Sequence, residues 1–174
     1  MGVANTKSTE VTKREAFKVA DAIYGGAVDR VKFPTIEVAA ADDAGSVYRM
    51  CRVHSSWNVN SLRVYCDSIT TGTDYDLGLY DIAETNSGAV VDADLFASAV
   101  DLSTAIKTGT EIRFESASVD IADSQKRVWE LLVDAGIITD TVDPNKEYDL
   151  CFTGNTPGSA AGTISLLVNY NDGT

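Results

Sequence analysis

The sequence predicts an all-β protein: an antiparallel β-sandwich of jelly-roll type, with one short helix in a long connection and an extended N-terminal arm. Three observations predict it. At least seven short segments alternate apolar and polar residues with the period of a half-buried strand. Gly, Asn, Asp, Ser and Thr fill the intervals between them. The chain has 174 residues, 44% of them hydrophobic, which suits one domain with a real core.

Along the chain, residues 1–22 are polar and form an arm or a short helix around "KREAFKVADAI", and residues 23–174 form a single sandwich domain. "YGGAVD" punctuates the junction. "RVKFPTIEVAA" is strand-like, and Pro34 places it at an edge or a bulge. "SVYRMCRVH" sets Val47, Cys51 and Val53 inward against Tyr48, Met50, Arg52 and His54, although Arg49 breaks the alternation. "SLRVYCDSI" turns Leu62, Val64 and Cys66 inward, and "DYDLGLYDI" does the same with Tyr75, Leu77 and Leu79. "ADLFASAVDLSTAI" fits a strand or a helical turn. "TEIRFES" is read as a strand with Ile112 and Phe114 inward. "DSQKRVWELLVDAG" carries Val128, Leu131 and Leu132 at helical spacing, with Ser124 or Asp123 as N-cap and Gly136 at the end. "EYDLCFTG" and "GTISLLVNYND" close the sandwich, with Tyr148, Leu150 and Phe152, then Ile164, Leu166, Val168 and Tyr170, facing in.

The formal charge is −12, and it is unevenly spread. The first twenty residues carry Lys7, Lys13, Arg14 and Lys18 against Glu10 and Glu15, whereas the rest is strongly acidic. An acidic body argues against a nucleic-acid surface, which needs clustered Lys and Arg. No secretory h-region and no stretch of about 20 apolar residues is present, so the expectation is a chain made in a cytoplasm with no membrane partner.

Residues 49–82 hold the single histidine, two of the three cysteines, Trp57 and four aspartates. Cys51 and His54 lie two residues apart, and Cys66 falls on the next strand. A structural zinc site wants four ligands; here His54 points to the face opposite Cys51, so core cysteines are the favoured reading. If residues 46–54 and 61–69 form a hairpin turning near Asn58, Cys51 and Cys66 face each other, and a disulfide becomes geometrically possible. Any Cys–His or Ser–His–Asp centre must run through His54, and no Gly-x-Ser-x-Gly elbow is present. Asp67, Asp74, Asp76 and Asp81 lack EF-hand spacing and read as a solvated face. "TGNTPGSAAGTI" lacks the Gly-Lys-Ser/Thr ending of a phosphate loop and reads as the loop before the last strand. The expectation is no catalytic residue, no metal and no cofactor. Trp57, in "SSWNVNS", reads as a plug over one end of the sandwich or as a contact with a partner or a sugar.

"SLRVYCDSITTGTDYDLGLYDI", "ADLFASAVDLSTA", "VWELL" and "EYDLCFTGNTPGSAAGTISLLVNY" together resemble capsid decoration, or cement, proteins of tailed bacteriophages. The words that carry the resemblance are Tyr75–Tyr80, Phe96–Ser103, Trp129–Leu132 and the closing Gly-Ala loop with its strand. The resemblance implies a virion structural protein made in the host bacterial cytoplasm. It would bind the outside of the shell through the major capsid protein, as a homo-oligomer, and stabilise it. Partner-binding residues expected on this reading are Lys7, Lys13, Arg14 and Lys18 of the arm, and Trp57. The alternatives are a tail, neck or receptor/carbohydrate-binding jelly-roll module of the same kind of particle, and an enzyme dependent on His54.

Overall fold

A computed structural model describes residues 29–40, 42–83 and 88–172. The arm and the boundary expected at residue 22 lie outside these described residues. The elements are β1 (Asp29–Lys32), β2 (Thr35–Val38), β3 (Ser46–His54), β4 (Asn58–Cys66), β5 (Asp74–Tyr80), β6 (Val90–Val100), β7 (Ile106–Glu111), a 3-10 turn (Ile121–Asp123), α1 (Val128–Asp134), β8 (Glu147–Thr156) and β9 (Gly162–Asn171).

β1 and β2 both pair with β9, Asp29 opposite Asn171 and Val38 opposite Gly162, so they are two halves of one strand. The break falls at Phe33–Pro34, where proline has no N–H to give the ladder; its carbonyl still accepts from Leu166 N at 3.0 Å. Sheet A runs β1/β2–β9–β4–β7 and sheet B runs β3–β8–β5–β6. With β1 and β2 counted as one, this is an eight-stranded jelly roll, the predicted architecture. Leu62, Val64, Leu77, Leu79, Leu150, Phe152, Ile164, Leu166 and Val168 fill the space between the sheets, all fully buried.

Several expectations need correction. On β3, Tyr48 and Met50 are buried and Val47 is exposed. The register shifts between Arg49 and Cys51, and this bulge carries both Met50 and Cys51 toward the core. β3 and β4 do not form a hairpin. They belong to different sheets, so Cys51 and Cys66 do not pair, and both thiols are free. "TEIRFES" is not a strand beyond Glu111. The strand is the preceding "IKTGTE", a polar edge without an apolar period. Ile112 is nonetheless buried, whereas Phe114 is only partly so. α1 starts at Val128, where Arg127 N donates to Glu130 Oε2 at 2.7 Å, rather than at Asp123 or Ser124. Asp123 instead closes the separate 3-10 turn, which Asp120 caps. Gly136 ends the helix as expected, at φ +73°. "ADLFASAV" belongs to strand β6. Leu95, Phe96 and Ala97 are buried in succession because the β5–β6 register shifts beside them.

Among the described strands, each of the four sheet edges is blunted. Pro34 interrupts β1/β2, the bulge kinks β3, register shifts bend β6, and Gly109 at φ +77° breaks β7. Such edges resist strand-to-strand addition.

Candidate functional site

Among the described residues, the histidine, cysteines and aspartates of residues 49–82 do not converge on one centre. His54 Nδ1 lies 2.8 Å from Ser56 Oγ and accepts from Ser56 N at 3.2 Å, a local loop contact. Among the described residues no group of three or more His, Cys, Asp or Glu is placed to hold a metal. Burial pushes the Cys51 thiol up to about 11 and the Cys151 thiol up to about 12, and it raises Cys66 as well. Thiols held protonated this way are poor nucleophiles at neutral pH. Of the four aspartates, Asp67 is exposed and Asp74 and Asp76 are half-buried, both accepting from Asn155 Nδ2. Asp81 departs from the solvated face: it is buried and paired with Lys146 at 2.5 Å.

Trp57 follows the short crossing from β3 to β4. Its ring stacks on Tyr170 at 4.1 Å with an interplanar angle of 18°, and the Lys32 ammonium lies 4.7 Å from its centroid. One stacking face is therefore taken within the chain. The Val128 and Trp129 amides donate to the carbonyls of Trp57 and Ser55, which fastens α1 over the same end of the sandwich. Asp29 pairs with Asn171, and Asn171 with Asn58, next to Trp57. Asp29, the first described residue, and Trp57 thus share one end of sheet A. Lys7, Lys13, Arg14 and Lys18 lie outside the described residues.

The two outer faces differ. On sheet B, Arg49 donates to Asp149 Oδ2 at 2.8 Å, to Asp81 O at 3.1 Å and to Gly88 O at 3.0 Å. This closes chain over the face, and Cys151, pointing away from the core, is fully buried. Sheet A is open. Outward from β9 stand Thr163, Ser165, Leu167, Asn169 and Asn171, all half-exposed. Beside them, Phe33 meets Tyr65 edge-on at 5.5 Å, and Phe33 and Val31 are exposed. Short hydroxyl and amide side chains around a small aromatic centre make an adaptable contact surface. Sequence reasoning missed this face because alternation marks outward polar residues only as solvated.

The fold has relatives among solved structures. A chain in the capsid of Ralstonia phage GP4 is similar, with a TM-score of 0.58 at 15% identity over 86% of this chain and 88% of that one. A chain in the capsid asymmetric unit of cyanophage Pam1 aligns with a TM-score of 0.45 at 16% identity, over 84% of this chain and 86% of that one. No protein-family model matches the sequence, and no curated protein does. The likeness to the GP4 capsid chain agrees with the strand order in giving a jelly roll.

Proposed function

We propose that this chain is a structural protein of a bacteriophage virion. It lies on the outside of the capsid, binds the major capsid protein and stabilises the shell. The observation that carries this reading is the likeness to the GP4 capsid chain over nearly the whole of both chains. The open face of sheet A supports it. With strands about 4.8 Å apart and side chains repeating about every 6.8 Å along each, four strands offer a face of roughly 15 by 27 Å. That is less than the ~800 Å² per partner of a standard stable interface. Such a contact holds when many copies repeat around a shell, where avidity supplies what one contact lacks. A protein that binds only the assembled shell stabilises it by mass action.

In this reading Trp57 and the arm residues Lys7, Lys13, Arg14 and Lys18 act from one end of sheet A. The arm's cations steer attachment to an acidic neighbour and make it salt-sensitive. Co-sedimentation with the cognate phage capsids tests the proposal. The expected result is saturable binding and a raised temperature of capsid disruption. Binding to isolated tails or to polysaccharide instead of capsids would favour the tail, neck or receptor-binding module. Deleting residues 1–20 is expected to leave the sandwich folded and weaken capsid binding; unimpaired binding would remove the arm from the interface.

A further inference from the structure

We infer that sheet A binds a calcium ion at its Asn58 end, through the side-chain oxygens of Asn58, Asn169 and Asn171 and the carboxylate of Asp29. Asn58 is only 4% exposed, and no hydrogen-bond donor among the described residues reaches its Oδ1. Asn169 Oδ1 and Asn171 Oδ1 are likewise buried and without a donor. A buried carbonyl left unpaired costs free energy, and native proteins hold few of them. Three such oxygens on one patch call for a ligand that brings positive charge to all of them.

Strand register puts these residues together. Asn171 of β9 faces Asn58 of β4 on one side and Asp29 of β1 on the other. Asn169 stands two residues back along β9, on the same face. Cross-strand neighbours are about 5 Å apart and alternate residues about 6.8 Å, so the three Asn Cα atoms surround a point roughly 4 Å from each. Side chains as short as asparagine can then bring their oxygens to the ~2.3–2.6 Å of a calcium–oxygen bond. Asn60 Nδ2 donates to Asp29 Oδ1 at 3.1 Å. Their strands flank β9, so this bond spans β9 and holds the Asp29 carboxylate beside Asn171. The reach is possible because β4 bulges here: Val59 faces Tyr170 and Ser61 faces Asn169, with Asn60 unmatched between them.

The chemistry of the oxygens selects the ligand. The nearest donors of the chain are committed elsewhere: the Ser61 hydroxyl donates to Glu111, and Asn60 to Asp29. A water molecule donates two hydrogen bonds, so a single buried water leaves one of the three oxygens unmet. A cation meets all three at once, and Asp29 offsets part of its charge. Amide and carboxylate oxygens in a flexible arrangement suit calcium, with water completing its shell, whereas magnesium demands near-octahedral geometry and sheds its waters reluctantly. With a single carboxylate the site is weak, with a Kd in the ~10⁻⁴–10⁻³ M range. The inference rests on these side chains alone and does not need the capsid reading.

Thermal melting of the full chain, first treated with chelator and then titrated with calcium chloride at constant ionic strength, tests it. At about 10 mM calcium, ten times a Kd of ~1 mM, the melting temperature is expected to rise by about 3–6 °C. Magnesium at the same concentration is expected to give less than half of that rise. Asn58→Leu, close to asparagine in shape, removes a buried oxygen that has no donor. It is expected to melt higher than the parent without calcium and to lose most of the calcium response. Asn171→Ala is expected to lose that response as well. In amide spectra of the unaltered chain, Asn58, Asn169 and Asn171 are expected to shift together and to saturate. No rise, a rise that both variants keep, or shifts scattered over the surface without saturation would overturn the inference, leaving only counterion screening of a chain of charge −12.

Discussion

Gly78 and Asp92 meet backbone to backbone: a Cβ on Gly78 would lie 2.0 Å from the Asp92 carbonyl oxygen. The cause is the shifting register between β5 and β6, which swings the edge strand across its neighbour. Glycine is required here for close approach, since the atoms in the way are backbone. Gly78→Ala is expected to destabilise the sandwich by about 2–4 kcal/mol, somewhat beyond ordinary overpacking. Urea unfolding with an unchanged m-value measures it. A loss below about 0.5 kcal/mol, the size of an ordinary surface change, would contradict the close approach.

Asp92 itself gives a pH-dependent prediction. Burial, with hydrogen bonding to Asp94, pushes its carboxyl up to about 6 from the ordinary 3.8. The folded state therefore holds a proton that the unfolded state has released. The associated stability is fully present below about 3.8, the unfolded pKa, and is lost as pH rises through about 6. Asp92→Asn is expected to raise the melting temperature at pH 7 and to change it little at pH 4. Equal effects at both pH values would rule out the titration.

Much of this fold was legible because most central strands alternate cleanly. Leu62/Val64, Leu77/Leu79 and Ile164/Leu166/Val168 read inward from period alone. The failures share a cause: where a bulge intervenes, parity changes in mid-strand. Met50 on β3 and the run Leu95–Ala97 on β6 break alternation for that reason. β7 was missed because an edge strand that contributes mainly Ile106 to the interior needs no apolar period. The composition of the outer face of sheet A was illegible because its residues are ordinary outward polar side chains. Only the strand order places Phe33, Tyr65 and Leu167 together.

The inward parity of central strands is directly testable. Leu77 and Ile164 are fully buried on opposite sheets. Leu77→Asp or Ile164→Asp places a carboxylate between them without a partner, at a cost of several kcal/mol. Each variant is expected to be unfolded or insoluble at 25 °C. A soluble variant with native melting would refute the assigned parity.

Arg113 is almost fully buried, and desolvation lowers its pKa to about 10. Its two carbonyl acceptors, Asp123 O and Ser124 O, join the end of β7 to the 3-10 turn. Arg113→Ala leaves those carbonyls without a donor and opens space over Phe114, so a loss of about 3 kcal/mol is expected. Arg113→Met restores the volume and is expected to recover part of it. Hydrogen exchange at Ala122 and Ser124 is expected to accelerate in both variants, because both lose the clamp on the turn.

The alkaline limit of stability follows from the buried thiols and Tyr75. Burial raises Cys51 to about 11 and Cys151 to about 12, against 9.0 when unperturbed. Burial also takes Tyr75 from 10.0 to about 12; its hydroxyl donates to Pro157 O at 2.5 Å. All three groups stay protonated in the folded chain after the unfolded chain has ionised. The stability they contribute is therefore complete below pH 9 and falls through the folded values near 11 and 12. Melting temperature is expected to be flat from pH 7 to about 8.5 and to fall steeply above, since the unfolded thiols titrate near 8.5–9. Cys151→Ala is expected to flatten the first part of that fall, because one fewer thiol ionises on unfolding. The same burial predicts that the native chain at pH 8 alkylates with iodoacetamide far more slowly than the chain in guanidinium. Rapid native alkylation at Cys151 would show that the face of sheet B behind Arg49 is open to solvent rather than closed.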